Sequence, residues 1–176
     1  DLIELSHGDG IAGSTYNYGF SKVDELELLK AASGVVENAK LTVLLLPGIG
    51  TVNDLDKAID CGAQAVRVAT HITEAGISQQ HIKAAKDKGL FAVGFLMMAH
   101  MSEPEAIAEQ AKLMASYGAD YINLADSAGY LLPDDVKARV EAVANAVDVP
   151  VGFHAHNNLS LAVANSLAAV EAGATY

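Results

Sequence analysis

The segment Pro150-Val-Gly-Phe-His-Ala-His-Asn-Asn-Leu159 reads as a short strand that breaks into a helix, with His154 and His156 at the break. Side chains two apart on a strand point to the same face. Two imidazoles so placed can converge on one point, as two ligands of one divalent metal must. The alternative is a strand-end loop carrying two ordinary polar residues, because an H-x-H triplet alone needs structural context. Beyond the break, Ser160–Ala172 is alanine-rich and amphipathic, so the segment is one strand–turn–helix unit.

Working outward, the same unit recurs along the whole chain. Strand-like runs fall at Leu2–Ser6, Leu41–Leu46, Ala65–Ala69, Phe91–Leu96, Tyr121–Ala125 and Val151–His154. Several are nearly continuous in apolar residues, the pattern of parallel strands buried on both faces. Helical segments lie between them at Lys22–Asn38, Val52–Cys61, Gln79–Lys88, Glu103–Tyr117 and Pro133–Val147. In the first of these, Val23, Leu26, Leu29, Ala32 and Val36 keep close to a helical period. Ser21 with Asp24, Thr51 with Asp54 and Ser102 with Glu105 fit helix caps with an acid three residues on. Pro133 suits a first turn. Gly62, Gly89, Gly118 and Gly173 stand where left-handed C-terminal caps are expected.

Regular strand–helix alternation means a parallel sheet with right-handed crossovers. A doubly wound sheet and an eightfold barrel both satisfy it, and equal units without a long connection favour the barrel. Six units do not close one, since about eight strands give an interior that side chains just fill. The expected fold is α/β: a partial TIM (β/α)8 barrel forming one domain over 1–176, truncated at both ends. A seventh strand is expected to begin at Ala174-Thr-Tyr176.

Composition narrows the functional classes. Hydrophobic residues make up 51% and charged residues 19%, which is globular rather than disordered. A formal net charge of -11, with Arg67 and Arg139 the only arginines, argues against nucleic acid or an anionic membrane as partner. Cys61 is the only cysteine, so no intrachain disulfide forms and a reducing cytoplasmic setting fits. The longest apolar run, Gly89 to Ala99, is too short to span a bilayer, and the first residues show no charged-then-apolar pattern.

In parallel barrels the chemistry lies at the carboxyl ends of the strands. Those ends carry His7-Gly-Asp-Gly10, Pro47-Gly-Ile-Gly50, Thr70-His-Ile-Thr-Glu74, His100, Asp126-Ser-Ala-Gly129 and His154-Ala-His156. Only His81, of the six histidines, falls within a helix, so five gather at one rim. His7 reads as either a turn cap or a substrate contact. His71 and His100 read as satisfied, part-buried polar groups, and Asp126 as a metal ligand or a turn former. Ser127 has no basic neighbour to activate it, so it suits a hydroxyl donor to a carboxylate rather than a nucleophile. Arg67, mid-strand, should pair with an acid inside the sheet. No lysine stands at a carboxyl end, so a Schiff-base route has no nucleophile and carbonyl chemistry here would need a divalent ion as electron sink.

The stretch Gly152-Phe-His-Ala-His-Asn-Asn-Leu-Ser-Leu-Ala-Val-Ala-Asn-Ser166 resembles the pyruvate-specific class II aldolases that cleave 4-hydroxy-2-oxovalerate. These belong to the metal-dependent lyase and acyl-transferase barrels that include isopropylmalate synthase and hydroxymethylglutaryl-CoA lyase. His7-Gly-Asp-Gly10, Leu45-Leu-Pro-Gly-Ile-Gly-Thr51, Arg67-Val-Ala-Thr-His-Ile-Thr-Glu-Ala75, Gly94-Phe-Leu-Met-Met-Ala-His-Met101 and Ala125-Asp-Ser-Ala-Gly129 are similar to the aldolase branch in particular. The synthases usually carry an acid where Asn158 stands, which favours the aldolase.

The resemblance implies that His154 and His156 are metal ligands, for manganese, with His154 also close to substrate. It implies that Ser127 donates to the carboxylate of the pyruvyl group. The implied reaction breaks the C3–C4 bond of a 2-oxo acid to give acetaldehyde and pyruvate, in aromatic catabolism. The family's first barrel strand supplies an Arg-Asp pair and a histidine base. Its eighth strand supplies a tyrosine, and a C-terminal region docks an acylating acetaldehyde dehydrogenase. None of these matches a position here, so the isolated chain is expected to be inactive or nearly so. An acetyl-CoA-dependent synthase or lyase of the same superfamily, or a noncatalytic barrel remnant, are the other readings.

Overall fold

The computed structural model describes residues 1–176. The six runs of apolar sequence become strands β1 (Leu2–Glu4), β2 (Lys40–Leu45), β3 (Ala65–His71), β4 (Phe91–Met97), β5 (Tyr121–Asp126) and β6 (Val151–Ala155). They pair in sequential order in one all-parallel sheet. Each is followed by a helix: α1 (Glu25–Ser33), α2 (Val52–Asp60), α3 (Gln79–Asp87), α4 (Pro104–Ser116), α5 (Pro133–Ala144) and α6 (Ala162–Glu171). The result is a partial TIM barrel of six βα units. Thr175 N donates to Val151 O (2.8 Å) and Phe153 N to Tyr176 O (3.0 Å), so the last residues run beside β6 where the seventh strand was expected.

The two-residue period of each strand sorts the side chains into two layers. On the outer face, Val43, Leu45, Val66, Val68, Leu96, Ile122 and Leu124 are fully buried against helix residues such as Leu55, Ile82, Ile107 and Val136. Each such burial removes apolar surface worth about 1.5–3 kcal/mol. At Gly94 an added Cβ would lie 2.8 Å from both Ile122 Cδ1 and Met114 Sδ, so α4 presses directly on β4 there. The inner face holds a much smaller apolar cluster of Leu44, Ala69, Phe95 and Ala125. Polar groups occupy the rest of the inner face, and the candidate site lies among them.

Local capping follows the sequence in part. Thr51 and Asp54 form the expected reciprocal cap, with Asp54 N donating to Thr51 Oγ1 (3.3 Å) and Thr51 N to Asp54 Oδ2 (3.1 Å). The helix expected from Lys22 instead begins at Glu25 and is capped by Asp24, whose Oδ1 accepts from Leu26 N (2.9 Å) and Glu27 N (3.2 Å). Ser21 is drawn away, its N donating to Ser14 Oγ at 3.2 Å. That helix also stops early, because Gly34 and the β-branched Val35 and Val36 are poor helix formers. Ser102 yields the cap position to Glu103, because Pro104 takes the first helical position with no N–H to satisfy. Pro133 opens α5 as expected, and Gly62, Gly89, Gly118 and Gly173 all lie at positive φ.

His81 sits on the core side of α3, and burial pushes its imidazole below the ordinary histidine pKa. The unfolded chain therefore takes up a proton first as the pH falls. Stability from this residue is complete above about pH 6.5 and declines below it, by at most about 1.4 kcal/mol per pH unit, until the folded-state pKa is passed. The urea midpoint is expected to drop between pH 7.5 and 5.5, more steeply in the parent than in a His81→Leu variant. Equal slopes in the two proteins would contradict this account.

Candidate functional site

Because β6 ends at Ala155, His154 and His156 straddle its carboxyl end, with ring centroids 5.0 Å apart. His154 pairs across the ladder with Ala125 and meets the Phe95 ring edge-on at 5.8 Å. Ser127 follows the last residue of β5 and is held from both sides. Its Oγ accepts from Met98 N at 2.9 Å, and its carbonyl lies 2.6 Å from His156 Nδ1. A carbonyl only accepts, so the proton sits on His156 Nδ1 and the lone pair of Nε2 is left free.

His154, His156 and Ser127 line one cavity of about 160 Å³, together with Gly8, Arg67 and Phe95. A larger cavity of about 560 Å³ opens at the other end of the strands, lined by Asp1, Leu2, Lys40, Phe91, Tyr121 and Tyr176. It contains no imidazole and lies at the amino ends, which in barrels carry stability rather than chemistry. The smaller cavity is therefore the candidate site.

Arg67 makes the expected ion pair, donating from Nη2 to Glu4 Oε1 at 2.6 Å, and its guanidinium lies 4.2 Å over the Phe95 ring. The sequence reading missed that it faces the same cavity as His154. Sequence carried only half of the signal, the two-residue period that puts Arg67 on the same face as Ala69; its place opposite Leu44 comes from sheet register. Burial, then the charges of Arg67 and His156, hold His154 below the ordinary histidine pKa. A neutral imidazole is the form that binds metal.

The remaining rim residues serve the loops. His7 Nδ1 accepts from Asp9 N (3.0 Å), which is the turn-cap reading. His71 Nδ1 lies 2.8 Å from Thr73 Oγ1. His100, expected to be satisfied, is not: its Nδ1 is buried without a hydrogen-bond partner, 4.0 Å from Asp126 Oδ1. The carboxylate it approaches is already engaged. Asp126 is fully buried, with Oδ1 accepting from Tyr130 N (3.1 Å) and Oδ2 from Leu131 N (3.0 Å). Of the two readings for Asp126, the structure supports the turn former. Gly129, at φ 59°, completes that turn, and a Cβ there would lie 2.9 Å from His156 O and 2.6 Å from Asn158 N. Only glycine lets the β5 loop pack so close to the histidine segment.

No group of three or more His, Cys, Asp or Glu side chains converges anywhere in the chain. The cavity thus offers two nitrogen donors, a fit to part of a divalent ion's shell, with oxygen donors needed to complete it.

A family description, HMGL-like, matches residues 2–176. The chain belongs to the HMGL-like family. It is 68% identical over 176 residues to a Moorella thermoacetica protein named 4-hydroxy-2-oxovalerate aldolase. It is 63% identical over 176 residues to a Carboxydothermus hydrogenoformans protein of the same name. It covers 52% of each, so this HMGL-like chain spans about half the length of the curated relatives it matches. Among solved structures, a variant carboxyl transferase domain of Rhizobium etli pyruvate carboxylase, crystallised with pyruvate, superposes with a TM-score of 0.84. That match covers 98% of this chain and 32% of the other at 22% identity, and it speaks for the fold alone. No helix is long and apolar enough to cross a membrane.

Proposed function

We propose that this chain carries the metal- and pyruvyl-binding part of a 4-hydroxy-2-oxovalerate aldolase. The observation that carries the reading is the convergence of His154, His156 and Ser127 on one cavity at the carboxyl ends of the strands. The shared name of relatives at 63% and 68% identity supports the substrate class, a small 2-oxo acid.

His154 and His156 would hold a divalent ion through their unprotonated nitrogens. When bound, such an ion supplies Lewis-acid polarisation of the 2-oxo group and stabilises the charge that develops as the C3–C4 bond breaks. Ser127 accepts from Met98 N, so its own hydroxyl proton is free to be donated to the substrate carboxylate. Arg67, clamped by Glu4 over the Phe95 ring, adds positive potential to the same cavity. Leu44, Phe95 and Ala125 exclude water from its floor, which strengthens each of these interactions. We assign no base for the 4-hydroxyl proton within this chain. On the same reading the ion is manganese and residues 1–176 form one barrel-derived domain working in the cytoplasm. The acetaldehyde passes to an acylating acetaldehyde dehydrogenase during breakdown of aromatic compounds.

The test is turnover with two sets of substrates side by side. A protein containing this chain, given Mn2+ and 4-hydroxy-2-oxopentanoate, is expected to release pyruvate, read with lactate dehydrogenase. Consumption of acetyl-CoA with a 2-oxo acid, without that cleavage, would overturn the assignment.

A further inference from the structure

β4 leaves the sheet through Met98, whose φ of 64° places a non-glycine residue in the left-handed region. Such a conformation costs free energy and persists only where its surroundings impose it. The turn that follows holds Arg139 of α5, which is buried yet pairs with backbone carbonyls alone. Its Nε donates to Ala99 O (3.1 Å), its Nη2 to Ser102 O (3.0 Å) and its Nη1 to Asp135 O (3.2 Å). A buried cation is thus spent on pinning the turn that begins one residue after Met98. Nothing in the chemistry described above uses that cation.

The conformation so held aims the Met98 N–H at Ser127 Oγ, 2.9 Å away. That N–H lies in the peptide plane before the φ bond, so with Ala99 and Ser102 held by Arg139 an extended φ would have to be taken up by rotating that plane, which would carry the amide away from Ser127 and free the hydroxyl to rotate. With the amide in place, one lone pair of Oγ is occupied and the hydroxyl proton has fewer directions left. The cavity shared with His154 and His156 is the polar space beside it. We propose that Met98 is a positioning residue: its left-handed backbone, pinned by Arg139, fixes the Ser127 hydroxyl as a donor to the carboxylate of a 2-oxo acid. The inference rests on the role given to Ser127 in the proposed function, and it adds the element that makes the serine a directed donor.

Two substitutions separate the backbone effect from the side chain. Met98→Gly keeps the amide and tolerates positive φ, whereas Met98→Val keeps the amide but resists that conformation. Mn2+ affinity and then pyruvate affinity at saturating Mn2+ are measured by titration calorimetry on a protein containing this chain, with circular dichroism and thermal melts as checks of folding. Loss of a directed hydrogen bond to a carboxylate is expected to weaken pyruvate binding about tenfold or more in Met98→Val. Met98→Gly is expected to stay near the parent, and Mn2+ affinity is expected to be the same in all three. Pyruvate binding by Met98→Val at the parent's strength would overturn the inference, as would equal losses in both variants. So would a parent that binds Mn2+ but no pyruvate. A parent that binds no Mn2+ would remove the proposed function itself, and this inference with it.

Discussion

Replacing His154 and His156 together by alanine is expected to lower the Mn2+ affinity of this chain by at least about a hundredfold. The expectation follows from how few donors the cavity has. No third His, Cys, Asp or Glu side chain joins the two imidazoles, so their loss leaves only weak oxygen contacts. The single variants should differ. His156 has its Nδ1 committed to Ser127 O, which orients the ring, so His156→Ala also releases one side of Ser127. His154→Ala opens space beside Phe95 and removes a donor without touching that contact. Titration calorimetry at pH 7.5 reads both. The control is His100→Ala, which alters a rim histidine outside the cavity and should leave Mn2+ affinity unchanged. Equal loss in the control and the double variant would mean that binding is not localised at β6. Unchanged affinity in the double variant would remove the site.

The residues explain why some of this was legible in sequence and some was not. The parallel order was readable because Leu41–Leu45 and Ala65–Ala69 are largely buried on both faces, so apolar residues run on nearly unbroken, interrupted only by Thr42 and Arg67. Helix ends at Gly62, Gly89, Gly118 and Gly173 were readable because a left-handed cap is a local demand on a single residue. Asp24 caps in place of Ser21 because two capping side chains lie within one turn, and the Ser21 hydroxyl donates instead to Glu25 Oε1 at 3.5 Å. The pairing of His154 with His156 is likewise local, set by a two-residue period. The grip on Ser127 is not. It joins Met98, Ser127 and His156 across three neighbouring strands, and those contacts arise from sheet register. Arg67 was hidden for the same reason. Its ion pair could be guessed from a charge within a strand, but the cavity it faces depends on where β2 sits beside it.

Asp126 marks the remaining ambiguity, since sequence does not tell which way a carboxylate points. Asp126→Ala is expected to destabilise the chain by about 2–4 kcal/mol, read as a lower urea midpoint. The variant strands the amides of Tyr130 and Leu131, which have the two carboxylate oxygens as their acceptors, and leaves a void at a fully buried position. Asp126→Asn keeps the shape but presents one oxygen and one NH2 to two N–H donors, so it should recover only part of that loss. The turn it holds contains Ser127 and Gly129, which pack against the segment bearing His156. Stability and site geometry are therefore linked through this one side chain. The metal titration separates that structural role from a direct one. If Asp126 forms the turn, folded Asp126→Asn binds Mn2+ about as tightly as the parent while melting earlier. If it were a ligand, affinity would fall with little change in stability, because removing a donor that faces the cavity would leave the turn amides paired.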